Sequence, residues 1–126
     1  MNRISGSLNT FFLRYDLPFV EIYVAASEIK SSEHLKKILQ VYDRDDVDVI
    51  VCCQVVYKGQ KYGHVCAVDE VREDSVVLVD TDGDGWNLLG FTYEEIYDAI
   101  QRHGDKNGGG LWIIRKLPSK KQMNKI

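Results

Sequence analysis

Residues 47–79, VDVIVCCQVVYKGQKYGHVCAVDEVREDSVVLV, decide the fold of this chain. The stretch contains three runs rich in β-branched residues, separated by the short polar segments 58–60 and 72–74. β-branched and aromatic residues favour strands, and short polar segments between such runs favour turns. The sequence therefore predicts three consecutive strands, over 47–57, 62–71 and 75–79, that pair as an antiparallel meander.

The segment before this meander predicts a helix, a short strand and a second helix. Apolar spacings of three and four over residues 8–15 place these residues on one side of a helix that stops before Pro18. Ser5 then lies at or near its N-terminus. Alternating apolar residues predict a strand over 19–25, and Ser31 is placed to cap the helix that follows.

The segment after the meander predicts one more helix and one more strand. Residues 92–95, TYEE, form a capping box for a helix that closes near Gly104, and 111–115 form the last strand. Helices and an antiparallel sheet together define the α+β class. We expect one domain over residues 1–116 and a flexible polar tail over 117–126.

Composition excludes several classes of protein. The 126 residues suit a single compact domain, and a net charge of −3 supplies no basic surface for nucleic acid. Apolar runs are far shorter than the roughly 20 residues that cross a bilayer, and no secretory signal precedes the first helix. We expect a cytoplasmic protein that binds neither nucleic acid nor membranes. Cys52, Cys53 and Cys66 lack zinc-site spacing and are expected to be buried, reduced core residues.

Three segments carry candidate chemistry. His64 begins the second meander strand and Asp80 follows the third, so antiparallel pairing brings these two strand ends together. An imidazole oriented by a carboxylate is two thirds of a nucleophilic triad. Ser5 stands at a helix N-terminus, where N–H groups favour a thiolate or an oxyanion, and Gly6 leaves room for a substrate backbone. Read singly, these residues are also explained as a surface histidine beside a turn and as a helix N-cap.

Together these segments resemble the papain-like cysteine peptidases of the bacteriocin-leader, or double-glycine, type. In that family a Cys-Gly opens the first helix, a Gly-His begins a core strand and an Asp ends the next strand. The matching positions here are Ser5-Gly6, Gly63-His64 and Asp80, and residues 91–96 resemble the helix start that follows the family's Asp. The resemblance runs from about Ile4 to Arg115.

The resemblance implies a papain-like fold, with an N-terminal nucleophile helix packed on a mostly antiparallel sheet. It also implies acyl transfer from an amide, with position 5 as nucleophile, His64 as general base and Asp80 as the residue that orients it. The substrate or partner would be a peptide or a protein, and no cofactor or metal is expected.

The chain departs from the family at its nucleophile. Ser5 replaces the Cys, and the oxyanion-hole Gln that precedes it has no counterpart, so Asn2 and Gln54 are the substitute donors. Two interpretations of Ser5 stay open. It is either a Cys-to-Ser replacement that inactivates a peptidase, or the native residue of a pseudoenzyme that binds a protein or peptide without cutting it.

Two remaining patterns predict ordinary structure. Residues 80–85, DTDGDG, repeat the start of a calcium loop, but Phe91 stands at the twelfth position, where a bidentate Glu is required. We therefore expect an Asp/Gly turn and no metal. His34 and His103 fall on polar helical stretches and are expected to be solvated.

Overall fold

The computed structural model describes residues 9–57, 59–80 and 87–118. Its helices and strands, in chain order, are α1 (9–14), β1 (Phe19–Ala25), α2 (Ser32–Val41), β2 (Val47–Tyr57), β3 (Gln60–Val71), β4 (Ser75–Asp80), β5 (Asn87–Thr92), α3 (Tyr93–His103) and β6 (Gly110–Lys116). Short 3-10 turns follow β1 and α3, over Ala26–Glu28 and Asp105–Asn107.

The six strands form one open sheet in the order β1-β6-β2-β3-β4-β5, and every neighbouring pair is antiparallel. The meander predicted over 47–79 is confirmed, with Cys53 opposite His64 and Ala67 opposite Val79. The last strand, β6, returns to lie between β1 and β2. The class is therefore α+β with an antiparallel open sheet and few helices.

The helices α2 and α3 pack on one face of this sheet. Their apolar sides and the inward-pointing residues of β2, β3, β4 and β6 form a single core. Its largest fully buried members are Ile29, Leu35, Leu39, Val51, Val76, Ile100, Leu111 and Ile113. The α2 N-terminus is capped as predicted, because the Ser31 hydroxyl accepts the His34 N–H at 3.0 Å.

The first helix lies beside the outer edge of β1. The Asn9 side-chain amide donates to the Glu21 carbonyl at 2.9 Å, and its oxygen accepts the Glu21 N–H at 2.7 Å. The Phe12 and Phe19 rings lie 5.6 Å apart between their centroids, which adds an aromatic contact between α1 and β1. These bonds satisfy one donor and one acceptor that an edge strand would otherwise leave to solvent.

One strand was absent from the sequence prediction. β5 has the sequence NLLGFT, whose adjacent leucines and central glycine break the period-two alternation that identifies a half-buried strand. Pairing with β4 along its whole length holds it in the sheet.

At the other end of the domain, Leu117 donates its N–H to the Pro18 carbonyl at 2.7 Å, so the first residue of the predicted tail is bonded to the domain. Residues 119–126 lie outside the described chain.

The capping box that begins α3 offers a direct test of helix stability. The Thr92 hydroxyl accepts the Glu95 N–H at 3.1 Å, and the Glu95 carboxylate accepts the Thr92 N–H at 3.0 Å. We expect Thr92→Ala to lower the free energy of unfolding by about 1 kcal/mol in urea denaturation, because the N–H of Glu95 loses its acceptor. Thr92→Ser keeps the hydroxyl and should cost much less. Equal losses in the two variants would contradict a capping role.

The same capping box makes a small contribution to stability that depends on pH. The Thr92 N–H and hydroxyl lower the pKa of Glu95 from its ordinary 4.5. A lowered carboxyl pKa stabilises the fold above the ordinary value, and that stabilisation is lost as the pH falls through the folded-state pKa. The box therefore weakens only on the acid side of pH 4.5.

Candidate functional site

The His64 and Asp80 positions lie on neighbouring strands. Ala67 pairs with Val79, so one further step along each strand reaches Cys66 and Asp80, and His64 lies two residues beyond Cys66. Two residues of strand span about 6.7 Å and adjacent strands are about 4.8 Å apart, which places the two Cα atoms roughly 8 Å from each other. The sheet thus places the backbones of the two positions near each other, and a contact between the two side chains stays a prediction.

The surroundings of His64 are half-buried. It lies opposite Cys53 on β2, and Cys53 and Cys66 both belong to the core beneath the helices. His64 therefore has apolar neighbours and is partly exposed to solvent.

Several predicted site residues lie outside the described chain. These are Asn2, Ser5 and Gly6, and also most of the calcium-like loop, residues 81–86. The nucleophile position, one substitute oxyanion donor and the turn after Asp80 therefore stay predictions. Gln54, the other substitute donor, is described. It lies opposite Gly63 on β2, is half-buried, and its carbonyl accepts the Arg102 guanidinium at 3.2 Å.

The last turn of α3 contacts Gln54 and Gly63, two neighbours of His64 in the sheet. Arg102 bonds the Gln54 carbonyl, and the His103 ring lies against Gly63, where an added Cβ would come within 3.1 Å of its Cε1 atom. The Nδ1 atom of His103 is buried, and it has no hydrogen-bond partner among the described residues. We refer to Arg102 and His103 as the α3 clamp.

The expectation of a solvated His103 was wrong. Ile96 and Ile100 face the core, and His103 follows at the next position of the same helical face, so it turns toward the sheet. The spacing of four and then three residues was visible in the sequence and was the signal for this contact. His34 is also half-buried, and its Nδ1 accepts the Lys30 N–H at 3.0 Å.

The clamp predicts a strong coupling between Gly63 and His103. We expect Gly63→Ala to lower the free energy of unfolding by about 1 to 2 kcal/mol, because the new methyl group overpacks against the imidazole. His103→Ala should remove most of that cost in the double variant, measured by a double-mutant cycle in urea. Additive effects of the two substitutions would contradict the contact.

The three cysteines are buried thiols. All are less than a tenth exposed, and none forms a disulfide. Burial, with a smaller effect of Cys53, raises the pKa of Cys52 to about 11, and burial also raises the pKa of Cys53 although Arg102 opposes it. Cys53 lies opposite His64, but a raised pKa disfavours the thiolate that nucleophilic chemistry requires. The prediction that these residues belong to the core is confirmed.

The chain has no evident metal centre in its described part. Residues 9–57, 59–80 and 87–118 contain no group of three His, Cys, Asp or Glu side chains placed to hold a metal ion.

For residues 80–85, an Asp/Gly turn that does not bind calcium stays a prediction. Adding calcium should change the melting temperature by less than about one degree, because position twelve lacks its ligand. A rise of several degrees, absent with magnesium, would contradict this.

Comparison with protein-family models, with curated protein sequences and with solved structures found no match to this chain. Among the helices of the described residues, none has the length and apolar composition that crossing a membrane requires. The candidate site is therefore defined by the geometry of the sheet and by the residues that it brings together.

Proposed function

We propose that the chain is a papain-like peptidase domain of the bacteriocin-leader type, in a form that Ser5 makes inactive. The observation that carries the proposal is the antiparallel pairing of β3 with β4, which places the Gly63-His64 step near the end of the strand that Asp80 closes. The antiparallel sheet and the helix that precedes it are consistent with this fold.

With a cysteine at position 5, the proposed reaction follows from the residues. His64 takes the thiol proton, and the thiolate attacks the carbonyl carbon of a peptide bond. The oxyanion accepts hydrogen bonds from the backbone N–H at position 5 and from a side chain at Asn2 or Gln54. The imidazolium gives its proton to the leaving amine, and water then hydrolyses the thioester with His64 as base. Asp80 orients the imidazole throughout.

A hydroxyl at position 5 changes this outcome. Serine is much harder to ionise than cysteine, and a site arranged for a thiolate does not activate it efficiently. The second candidate function is therefore a natural pseudoenzyme, a regulatory module that binds a peptide or protein without cutting it. Ser5 itself and the missing Gln favour this alternative. In either case we propose a cytoplasmic protein, a location with which three cysteines that form no disulfide are consistent.

Cleavage of internally quenched peptides by the Ser5→Cys chain tests the proposal. We expect a pooled library to be cut by Ser5→Cys, and not by the unchanged chain or by Ser5→Cys combined with His64→Ala. His34→Ala serves as the matched histidine control, since His34 lies on α2 and its Nδ1 accepts the Lys30 N–H at the entry to that helix. Cleavage that survives His64→Ala would refute the assigned base. Binding of peptides without cleavage by Ser5→Cys would favour the pseudoenzyme.

A further inference from the structure

The outer edge of β5 is open in the described structure. β5 ends the sheet, and no described strand or helix pairs with its outer side, whereas Asn9 bonds the outer side of β1. At the last residue of β5, the Thr92 N–H already donates to the Glu95 carboxylate. An edge strand offers alternate N–H and C=O groups that a further extended chain can bond.

The residues of this edge are uncharged and mostly apolar. Leu88 is 63% exposed and Leu89 is 43% exposed, and they point to opposite faces of the sheet because successive strand residues alternate. Gly90 adds free space, since a Cβ at that position would meet nothing within 4 Å. Natural edge strands are usually protected by a lysine, a proline or a bulge. Residues 87–92 contain neither lysine nor proline.

An acidic cleft lies at the C-terminal end of the same strand. A cavity of about 280 Å³ is bordered by Thr92, by the start of α3 and by the β3–β4 turn. Its carboxylates are Glu33, Glu73, Asp74 and Glu94, against the single cation Lys36, which bonds Glu73 at 3.0 Å. The Tyr93 hydroxyl donates to the Arg72 carbonyl and so fixes this turn against α3.

We infer that the β5 edge and the acidic cleft together bind an extended peptide that carries a basic residue on the N-terminal side of an alternating apolar segment. Pairing in the antiparallel sense that the whole sheet uses places the N-terminal end of the peptide beside Thr92. Its basic side chain then reaches the cleft, and its alternating apolar residues lie on one face of the sheet, where they cover Leu89. The inference rests on the proposed function because it takes the partner to be a peptide. It adds the class of that peptide, an extended chain with a basic residue before an alternating apolar segment.

The probe is an acetylated peptide, Lys-Lys-Thr-Val-Thr-Val-Thr-Gly, with a fluorophore at its C-terminus, titrated with the unchanged chain at low salt. Two control peptides carry Glu-Glu in place of the lysines, or the lysines at the C-terminal end. We expect both controls to bind at least fivefold more weakly, by fluorescence anisotropy. Equal binding of all three peptides would refute the charge and orientation of the site.

Variants test the two halves of the surface separately. Leu89→Lys should weaken binding at least tenfold, because a charged edge repels both the strand and its lysines, while Leu13→Lys on α1, where Leu13 is 83% exposed, should not. Asp74→Asn with Glu94→Gln should weaken binding about threefold to tenfold, as expected for two exposed ion pairs. Asp98→Asn, an exposed carboxylate of α3 outside the cleft, should leave it unchanged. Thermal melts confirm that each variant is folded.

The amide resonances of the ¹⁵N-labelled chain separate this inference from the proposed function. Shifts on peptide addition confined to β5 and the cleft support the edge site. Shifts centred on Gly63 and His64 would overturn the edge site and leave the peptidase proposal standing. A concentration-dependent dimer that Leu89→Lys abolishes would also overturn it, since a second copy would then occupy the edge.

Discussion

Replacing Ser5 with cysteine is expected to create a thiol that reacts with iodoacetamide at pH 7 roughly tenfold faster, or more, than free cysteine does. In the proposed site, residue 5 lies at a helix N-terminus beside a protonated His64, and both features favour the thiolate, which is the reacting form. A thiol pKa lowered from its ordinary value of about 8.5 raises the fraction of thiolate at pH 7 above the few per cent of a free cysteine. Alkylation rates followed by mass spectrometry measure the effect.

The background and the control for this experiment are given by the structure. The unchanged chain contains only Cys52, Cys53 and Cys66, which are buried, and the raised pKa of Cys52, about 11, keeps that thiol protonated at neutral pH. His64→Ala should slow alkylation of the new thiol toward the rate of free cysteine, whereas His34→Ala should not. A thiol that reacts no faster than free cysteine, with or without His64, would withdraw the peptidase assignment.

Gly110→Ala is expected to leave the chain largely unfolded at 25 °C. Gly110 has φ of +144°, and a Cβ there would lie 2.1 Å from the Val24 carbonyl oxygen and 3.2 Å from the Ala25 Cα. Those atoms are backbone of the paired strand β1, so neither side can move without breaking the β1–β6 ladder. Backbone strain and overlap together should cost about 4 kcal/mol or more, comparable to the whole stability of a small domain.

Gly90→Ala is the matched control for this prediction. It lies in β5 with open space around it, so the free energy of unfolding should change by less than about 0.5 kcal/mol. Circular dichroism and urea denaturation of the two variants compare them directly. If Gly110→Ala folded with the stability of Gly90→Ala, the close approach of β6 to β1 would be incorrect.

The local elements of this fold were largely predictable because each carries its own signal. Ser31 and the TYEE box mark two helix starts, and β-branched runs mark β2, β3 and β4. The position of β6 between β1 and β2 was not predictable, since strand order depends on pairings between residues that lie 58 to 97 positions apart in the chain. β5 was missed for a local reason, the break in alternation at Leu88, Leu89 and Gly90.

The candidate site was predictable in part. The β3–β4 pairing followed from a three-residue turn, and it fixes the spacing of His64 and Asp80 along the strands. The α3 clamp was not predicted, because a histidine among charged neighbours was interpreted by its own polarity. The position of a polar side chain depends on the face of the helix that it occupies, and Ile96 and Ile100 determine that face.

The Asn9 carboxamide at the β1 edge has a consequence for assembly in crowded solution. It presents to Glu21 the same donor and acceptor that the backbone of an added strand would present. Propagation of a sheet from molecule to molecule needs two free edges on every subunit, one to accept the preceding copy and one to receive the next. Because Asn9 already bonds one residue of the β1 edge, a second copy cannot pair along the full length of that edge, and we expect growth of the sheet from molecule to molecule to be hindered on this side.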